Sequence, residues 1–205
     1  MFATWFLTGY HPAVTSLHAP ERLHFTGDDE SDRLLARDPL ALLIGFALDQ
    51  QVTVQKAFGG PLELERRMRA PLHAATIAAM SPEELARLFQ DRPALHRFPA
   101  AMAGRVQALC TVIAERYGSD AGLVWTGATD GRDLEARLRQ LPGIGEMKAG
   151  SIIAVLVKRY GLRLPGIDAV LPGHPTLGDV DSPEALADYQ AGKRAHKAAL
   201  RAARG

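Results

Sequence analysis

The stretch LPGIGEMKAG, residues 141–150, decides the fold of this chain. Pro142 lacks a backbone N–H and cannot continue a helix from the residues before it. Gly143 and Gly145 leave room where a side chain would block a tight turn. The apolar residues that follow recur at helical spacing. The stretch therefore predicts a helix, a tight turn and a second helix that begins at about Glu146.

The turn has the composition of an anion-binding site. Backbone amides exposed at Gly143 and Gly145, together with the N-terminus of the second helix, favour a negatively charged ligand. Ile144, between the two glycines, is expected to fill the core beneath the turn. The apolar face of the second helix is predicted to consist of Ala149, Ile152, Ile153 and Leu156.

The tetrapeptide LPGI occurs again at residues 164–167, but different residues follow it. Asp168 stands there in the place of Gly145. The following AVLPGHPTLGD contains prolines and glycines that prevent a long helix from starting. The second copy is therefore predicted to be a Gly/Pro-containing loop with a carboxylate, not a second turn of the same kind.

Helical signals dominate the rest of the chain, and alternating strand patterns are missing. Thr26 or Asp28 is expected to cap a first helix that Pro39 stops. A short helix is expected to end at Gly59–Gly60, and Ser81 begins a capping-box pattern with Glu84. We therefore predict an all-α fold with roughly nine helices.

The distribution of apolar helices indicates two helical lobes with a cleft between them. The long apolar helices lie in the middle of the chain, and the first and last helices are more polar. We expect residues 1–24 to form an N-terminal arm and 25–48 plus 162–205 to form one lobe. Residues 49–161 would form a barrel-like lobe that contains the helix–turn–helix of 135–160.

Composition narrows the classes of function. The 205 residues carry a formal net charge of +1, so binding to nucleic acid requires a local patch rather than overall charge. The basic tail, residues 191–205, is a candidate for such a patch, although the sequence alone favours a solvated helix face. No apolar run is long enough to span a bilayer. The single cysteine, Cys110, falls on an apolar helix face and excludes a four-cysteine cluster within this sequence.

A second polar feature interrupts the apolar segment DPLALLIGFALDQQVTVQKAF, residues 38–58. Gln50 and Gln51 form a polar break between two helices, and Asp49 before them is expected to cap the second helix. Taken alone, the two glutamines are explained as an ordinary interhelical turn.

Together these features resemble the helix-hairpin-helix-GPD superfamily of base-excision DNA glycosylases, which includes endonuclease III and the alkyladenine glycosylases. The resemblance lies in LPGIG, in the Gly/Pro-rich loop ending at Asp168, and in the QQVTV element. It covers roughly residues 25–200 in short motifs. It implies that Asp168 is the catalytic carboxylate, with Asp179 and Asp181 as alternatives because the spacing is a few residues longer than in endonuclease III.

The resemblance also implies roles for the other motif residues. Gly143, Ile144 and Gly145 would hold a DNA phosphate at the hairpin, and Gln50 and Gln51 would lie where the extruded base leaves the stack. An ionised carboxylate would stabilise the cation that forms on the sugar. Aromatic side chains read extruded bases by stacking, yet core packing is the simpler role for each candidate. These candidates are Phe46, Phe58, His96, Phe98 and Trp125.

Departures from the family refine the expected activity. Met147 stands in the position of the lyase lysine, and Lys148 comes one residue later, rotated by about 100° on a helix. We therefore expect a monofunctional enzyme without lyase activity, in which Lys148 contacts phosphate. We expect no iron–sulfur cluster and no other metal, although the hairpin allows a monovalent cation.

The expected partner is double-stranded DNA with a damaged base, bound by a monomeric cytoplasmic protein that is nucleoid-associated if bacterial, with no membrane involvement. The alternative is a non-catalytic damaged-DNA-binding protein of the same fold. A third interpretation, an unrelated all-α regulatory protein, requires the hairpin pattern to be coincidental.

Overall fold

A computed structural model of the protein describes residues 17–202. The part of the predicted N-terminal arm that precedes residue 17 lies outside the described residues. Its remainder, 17–24, carries no helix, and the buried Leu23 anchors it by donating its backbone N–H to the carbonyl of Asp32 over 3.0 Å.

The predicted all-α class is confirmed, because residues 17–202 contain ten α-helices and no strand. The helices are α1 (Asp29–Arg37), α2 (Pro39–Leu48), α3 (Val54–Met68), α4 (Ala74–Ala79), α5 (Pro82–Gln90), α6 (Pro99–Tyr117), α7 (Leu123–Thr126), α8 (Gly131–Arg139), α9 (Glu146–Tyr160) and α10 (Pro183–Ala202).

Short carboxylate caps define the first two helices. Asp28 accepts a hydrogen bond from the Ser31 amide at the start of α1, and Asp38 accepts one from the Leu40 amide at the start of α2. Each bond satisfies an amide that has no partner within its own helix. Residues 40–48 of α2 are all buried, as is typical of an apolar helix at the centre of a fold.

The expected end of a helix at Gly59–Gly60 is wrong. Helix α3 continues through both glycines and through Pro61 to Met68. A β-carbon on Gly60 would lie 2.7 Å from Leu48 Cδ1, so the glycine lets α3 pack closely on α2. This packing, which also buries Leu62 and Leu64, outweighs the local tendency of glycine and proline to end a helix.

Helices α8 and α9 are joined by a short turn at residues 140–145, as predicted. Asp130 caps α8 by accepting from the Asp133 amide, and Gly145 is the N-cap of α9. All five residues from 152 to 156 are buried, so the middle of α9 lies in the core. Gly161, in the left-handed conformation, ends the helix.

The segment between α9 and α10 contains no α-helix, as its prolines and glycines predicted. It forms two short 3₁₀ helices, at Ile167–Val170 and Leu177–Asp179. The first lies against the start of α8, where the amide of Gly131 donates to the carbonyl of Pro165 over 2.9 Å. The second lies against α9, where Gly178 approaches the backbone of Ala154.

The buried apolar residues form one continuous cluster that extends from Leu23 to Leu186. Phe46 and Phe58 belong to it and contact each other edge to face, with ring centroids 5.0 Å apart. Cys110 is fully buried in the same cluster, as expected, and burial raises the pKa of its thiol to about 12. Within the described residues, no helix has the length and apolar character required to cross a membrane.

Candidate nucleic-acid interface

A wide, open cleft of about 420 Å³ lies beside the turn between α8 and α9. Its walls bring together the polar turn after α2, one side chain of α6 and the end of α8. The lining residues are Gln50, Arg105, Arg139, Gln140, Leu141, Pro142, Gly143, Ile144 and Gly145. Two arginines and no acidic side chain line the cleft, so it favours an anion.

Gln50 and the turn residues are far apart in sequence, and the fold unites them in this cleft. The link is Arg105, whose guanidinium Nη1 donates a hydrogen bond to Gln50 Oε1. The side-chain stem of Arg105 also lies against Gly143. Arg105 therefore joins the turn after α2 to the turn before α9.

Gly143 is required by both its conformation and its surroundings. Its φ of +88° lies in the left-handed region that L side chains rarely adopt. A β-carbon there would lie 2.6 Å from Arg105 Cδ, which is closer than real contacts allow. The glycine thus permits both the turn and the position of the arginine.

Two glycines of the turn, Gly143 and Gly145, line the cleft. Among the described residues, no protein acceptor is found for the amides of Gly143 and Gly145, and no side chain caps α9. Ile144 is 3% exposed and anchors the turn in the core, as expected. Glu146 is exposed in the first turn of α9, where its charge opposes an anion at the cleft.

His96, which we expected to fill a core or pocket position, is a buried anchor for Gln50. Its Nδ1 accepts from the Phe98 amide over 3.1 Å, so the ring proton of the neutral form is on Nε2. That Nε2–H donates to the carbonyl oxygen of Gln50 over 2.9 Å. Phe98 is 43% exposed, and the guanidinium of Arg97 lies over its ring.

Gln51 is exposed and has a φ of +54°, in the left-handed region. A residue other than glycine is strained there by about 1–2 kcal/mol. Asp49 does not cap α3 as expected. Thr53 does so, with its hydroxyl accepting from the Lys56 amide over 3.2 Å.

Lys148 points its ammonium inward rather than into the cleft. Nζ donates to the carbonyl of Gly143 over 3.1 Å and to that of Ala47 over 3.3 Å. It thereby ties the end of α2 to the turn, where the carbonyl end of the helix favours a cation. Burial lowers the pKa of Lys148 to about 8, with Arg105 acting in the same direction and Asp49 opposing it. In the structure the ammonium contacts two carbonyls, and the phosphate contact expected of Lys148 stays a prediction.

Asp168 lies outside the cleft. It belongs to the 3₁₀ helix packed on the start of α8, whereas the turn follows the end of α8, about 12 Å away along the helix axis. Its side chain is exposed, and no hydrogen-bond or ion-pair partner for it is found among residues 17–202. The structure therefore unites Gln50, Gly143, Ile144 and Gly145, but not Asp168.

The two alternative carboxylates are already engaged. Asp179 forms an ion pair with Lys158 at 2.5 Å and also accepts from the amide and hydroxyl of Thr176. Asp181 lies 3.8 Å from the guanidinium of Arg159.

Two arginines that line the cleft were not predicted from the sequence. Arg105 and Arg139 occur on ordinary helical patterns, and nothing local distinguishes them from other surface arginines. Only the tertiary contact with Gln50 and Gly143 reveals Arg105. For Arg139, its place directly before the turn was a usable signal.

Within the part of the chain that the structure describes, no three His, Cys, Asp or Glu side chains are grouped so that they could hold a metal ion. Comparisons with protein-family models, with curated proteins and with solved structures found no match.

Proposed function

We propose that this protein binds double-stranded DNA that carries a damaged or mismatched base and hydrolyses the N-glycosidic bond of that base. The observation that carries the proposal is the convergence of Gln50 with the 142–145 turn in one cleft that has two arginines and no acid. In this proposal α8, the turn and α9 form a helix-hairpin-helix, and the interlobe cleft accommodates the extruded nucleotide.

The turn would hold one phosphate of the DNA backbone. The amides of Gly143 and Gly145 have no protein acceptor among the described residues, and Arg105 and Arg139 add positive charge at the same place. Backbone amides and guanidinium groups together recognise a phosphate without reading the base sequence. The contact would position the duplex so that the damaged base lies near Gln50.

Gln50 and Gln51 would occupy the gap left when the base leaves the stack. Gln50 is held by Arg105 on its side chain and by His96 on its carbonyl. Gln51 is exposed and strained beside it, and such strain is often found at functional sites. This arrangement supports a rigid wedge rather than a mobile loop.

The reaction would stop at base removal. Schiff-base chemistry needs a primary amine at the sugar. Met147 occupies the lyase position and is 81% exposed, and the Lys148 amine is directed at two backbone carbonyls. We propose that water is the only nucleophile.

A non-catalytic damaged-DNA-binding protein is the second candidate, and the position of Asp168 favours it. The carboxylate that the resemblance assigns to catalysis lies at the other end of α8 from the cleft. If no other carboxylate takes the role assigned to Asp168, the cleft would bind damaged DNA without cleavage of the glycosidic bond.

We further propose that the protein acts as a monomer in the cytoplasm, associated with the nucleoid if bacterial, without an iron–sulfur cluster. A monovalent cation at the hairpin would share the Gly143 carbonyl with the Lys148 ammonium.

An oligonucleotide panel tests the proposal. Duplexes with single alkylated, deaminated, oxidised or mismatched bases are incubated with the protein and then treated with alkali, which breaks the strand at abasic sites. Alkali-dependent cleavage of at least one duplex supports the glycosylase. Selective binding without cleavage of any duplex favours the second candidate. If the protein neither binds nor cleaves any damaged duplex selectively, the proposal is contradicted.

A further inference from the structure

Asp49 is the carboxylate next to the proposed DNA site. It follows the last residue of α2 and directly precedes Gln50, which lines the cleft. Its backbone N–H is held by the carbonyls of Gly45 and Phe46, so the residue is fixed at the end of a buried helix. Its side chain is half-buried, and no hydrogen bond or ion pair to it is found among residues 17–202. The carboxylate oxygens are therefore free to face a ligand.

The surroundings of Asp49 suit an extruded nucleotide. The electrostatic influence of the Asp49 carboxylate reaches the Lys148 ammonium and the Tyr189 phenol of α10. Lys148 lies beyond ion-pair distance, so its ammonium does not occupy the Asp49 carboxylate. Helix α10 is tied to α3 at this place by the hydrogen bond from Gln190 to Gln55, at 2.8 Å. Asp49 thus lies where α10 approaches the turn after α2.

Tyr189 provides an aromatic surface near this carboxylate. It is half-buried, and the ammonium of Lys193 lies 5.2 Å from its ring centroid. Burial raises the pKa of Tyr189, the Lys193 ammonium opposes the shift, and the carboxylates of Asp49 and Asp179 reinforce it. The phenol therefore keeps its proton and can stack on a base or donate to one.

We infer that Asp49, directly before the cleft-lining Gln50, supplies the catalytic carboxylate, with Tyr189 of α10 as a wall for the extruded base. The inference rests on the proposed function. It is favoured because Asp168 lies at the far end of α8, while Asp179 and Asp181 are paired with Lys158 and Arg159.

The chemistry that follows is a hydrolysis. The bond between sugar C1′ and the base nitrogen breaks, and its electron pair leaves with the base. The Asp49 carboxylate stabilises the cation that develops on the sugar. Water forms the new C1′–O bond, and its proton passes to Asp49 and then to the departed base or to solvent. The products are the free base and an abasic site.

Single-turnover base release by Asp49→Asn tests this assignment, on whichever duplex of the panel the unchanged protein cleaves. We expect the rate to fall by about 100-fold or more, with duplex affinity kept within about threefold. Asp168→Asn is the competing variant and should lose less. Asp91→Asn, at an exposed position after α5 and outside the cleft lining, is the matched control and should retain the rate.

The outcomes separate the inference from the proposed function. A wild-type rate in Asp49→Asn, or a larger loss in Asp168→Asn, overturns the assignment while the glycosylase stands. Absence of release by the unchanged protein on every duplex overturns the glycosylase and the assignment with it. If Asp49→Asn does not fold, Asp49→Ala is assayed with and without formate: rescue by formate supports the assignment, and formate-independent wild-type release contradicts it.

Discussion

The Nε2–H of His96 donates a hydrogen bond to the carbonyl oxygen of Gln50 over 2.9 Å, and the donor is only 1% exposed. This bond holds the backbone of the turn after α2, while the hydrogen bond from Arg105 holds the Gln50 side chain. The polar turn is thereby held rigidly although both of its glutamines are exposed.

Loss of the His96 ring should destabilise the fold. His96→Ala leaves the Gln50 carbonyl and the Phe98 amide without partners, and we expect a loss of about 2–4 kcal/mol in the free energy of unfolding. Urea denaturation measures this change. His73→Ala is the matched control, because His73 is exposed and its side chain forms one hydrogen bond among the described residues, to Thr76, so a loss under about 0.5 kcal/mol is expected. Equal losses in the two variants would contradict the anchoring role.

A comparison of two glycines that both have positive φ distinguishes backbone strain from the contact with Arg105. Gly143→Ala and Gly161→Ala both place a side chain at positive φ, so each should cost about 1–2 kcal/mol of stability. Only at Gly143 does the new β-carbon meet Arg105, since nothing lies within 4 Å of the one at Gly161. We expect DNA affinity to fall about tenfold for Gly143→Ala alone. Fluorescence anisotropy measures it, and equal affinities for both variants would refute the role of the Arg105 contact.

Much of the backbone could be predicted from local sequence, because caps and breakers act within a few residues. Pro142 and Gly145 located the turn, and Pro39 located the end of α1. The continuation of α3 through Pro61 could not be predicted, since it depends on packing against Leu48.

Only part of the candidate site could be predicted, because the other part depends on contacts between residues that are distant in sequence. Gln50 and the glycines of the turn belong to short motifs, whereas His96 and Arg105 act across distant parts of the chain. The inward direction of Lys148 also depends on Ala47, which the sequence places about a hundred residues earlier. Whether Asp168 or Asp49 serves catalysis stays a prediction.

The half-buried ammonium of Lys148 predicts a pH dependence of stability. Its pKa is lowered to about 8 in the folded protein, below the value of about 10.4 in an unfolded chain. Between these two values only the unfolded state binds the proton, so this contribution to stability rises with pH and is constant below about pH 8. The difference in unfolding free energy between the unchanged protein and Lys148→Met should therefore increase from pH 7.5 to pH 10. Urea titrations at the two pH values test it, and a constant difference would rule out the shift.

Borohydride trapping should yield no covalent adduct with abasic DNA. The exposed Met147 offers no amine, and Lys148 Nζ is bonded to the carbonyls of Ala47 and Gly143. Met147→Lys introduces an amine at the exposed lyase position, and we expect this variant to form an adduct. An adduct with the unchanged protein that disappears in Lys148→Ala would overturn the monofunctional assignment.

The most direct test of the central claim is the salt dependence of DNA binding by Arg105→Gln. The claim is that DNA phosphate lies in the cleft between Gln50 and the 142–145 turn. Anisotropy titrations of a duplex with a single abasic-site analogue should show about tenfold weaker binding and a slope of log affinity against log salt that is smaller by about 0.9. Arg87→Gln, at an exposed position of α5 outside the cleft lining, should match the unchanged protein. Equal affinities and slopes for all three proteins would contradict the claim.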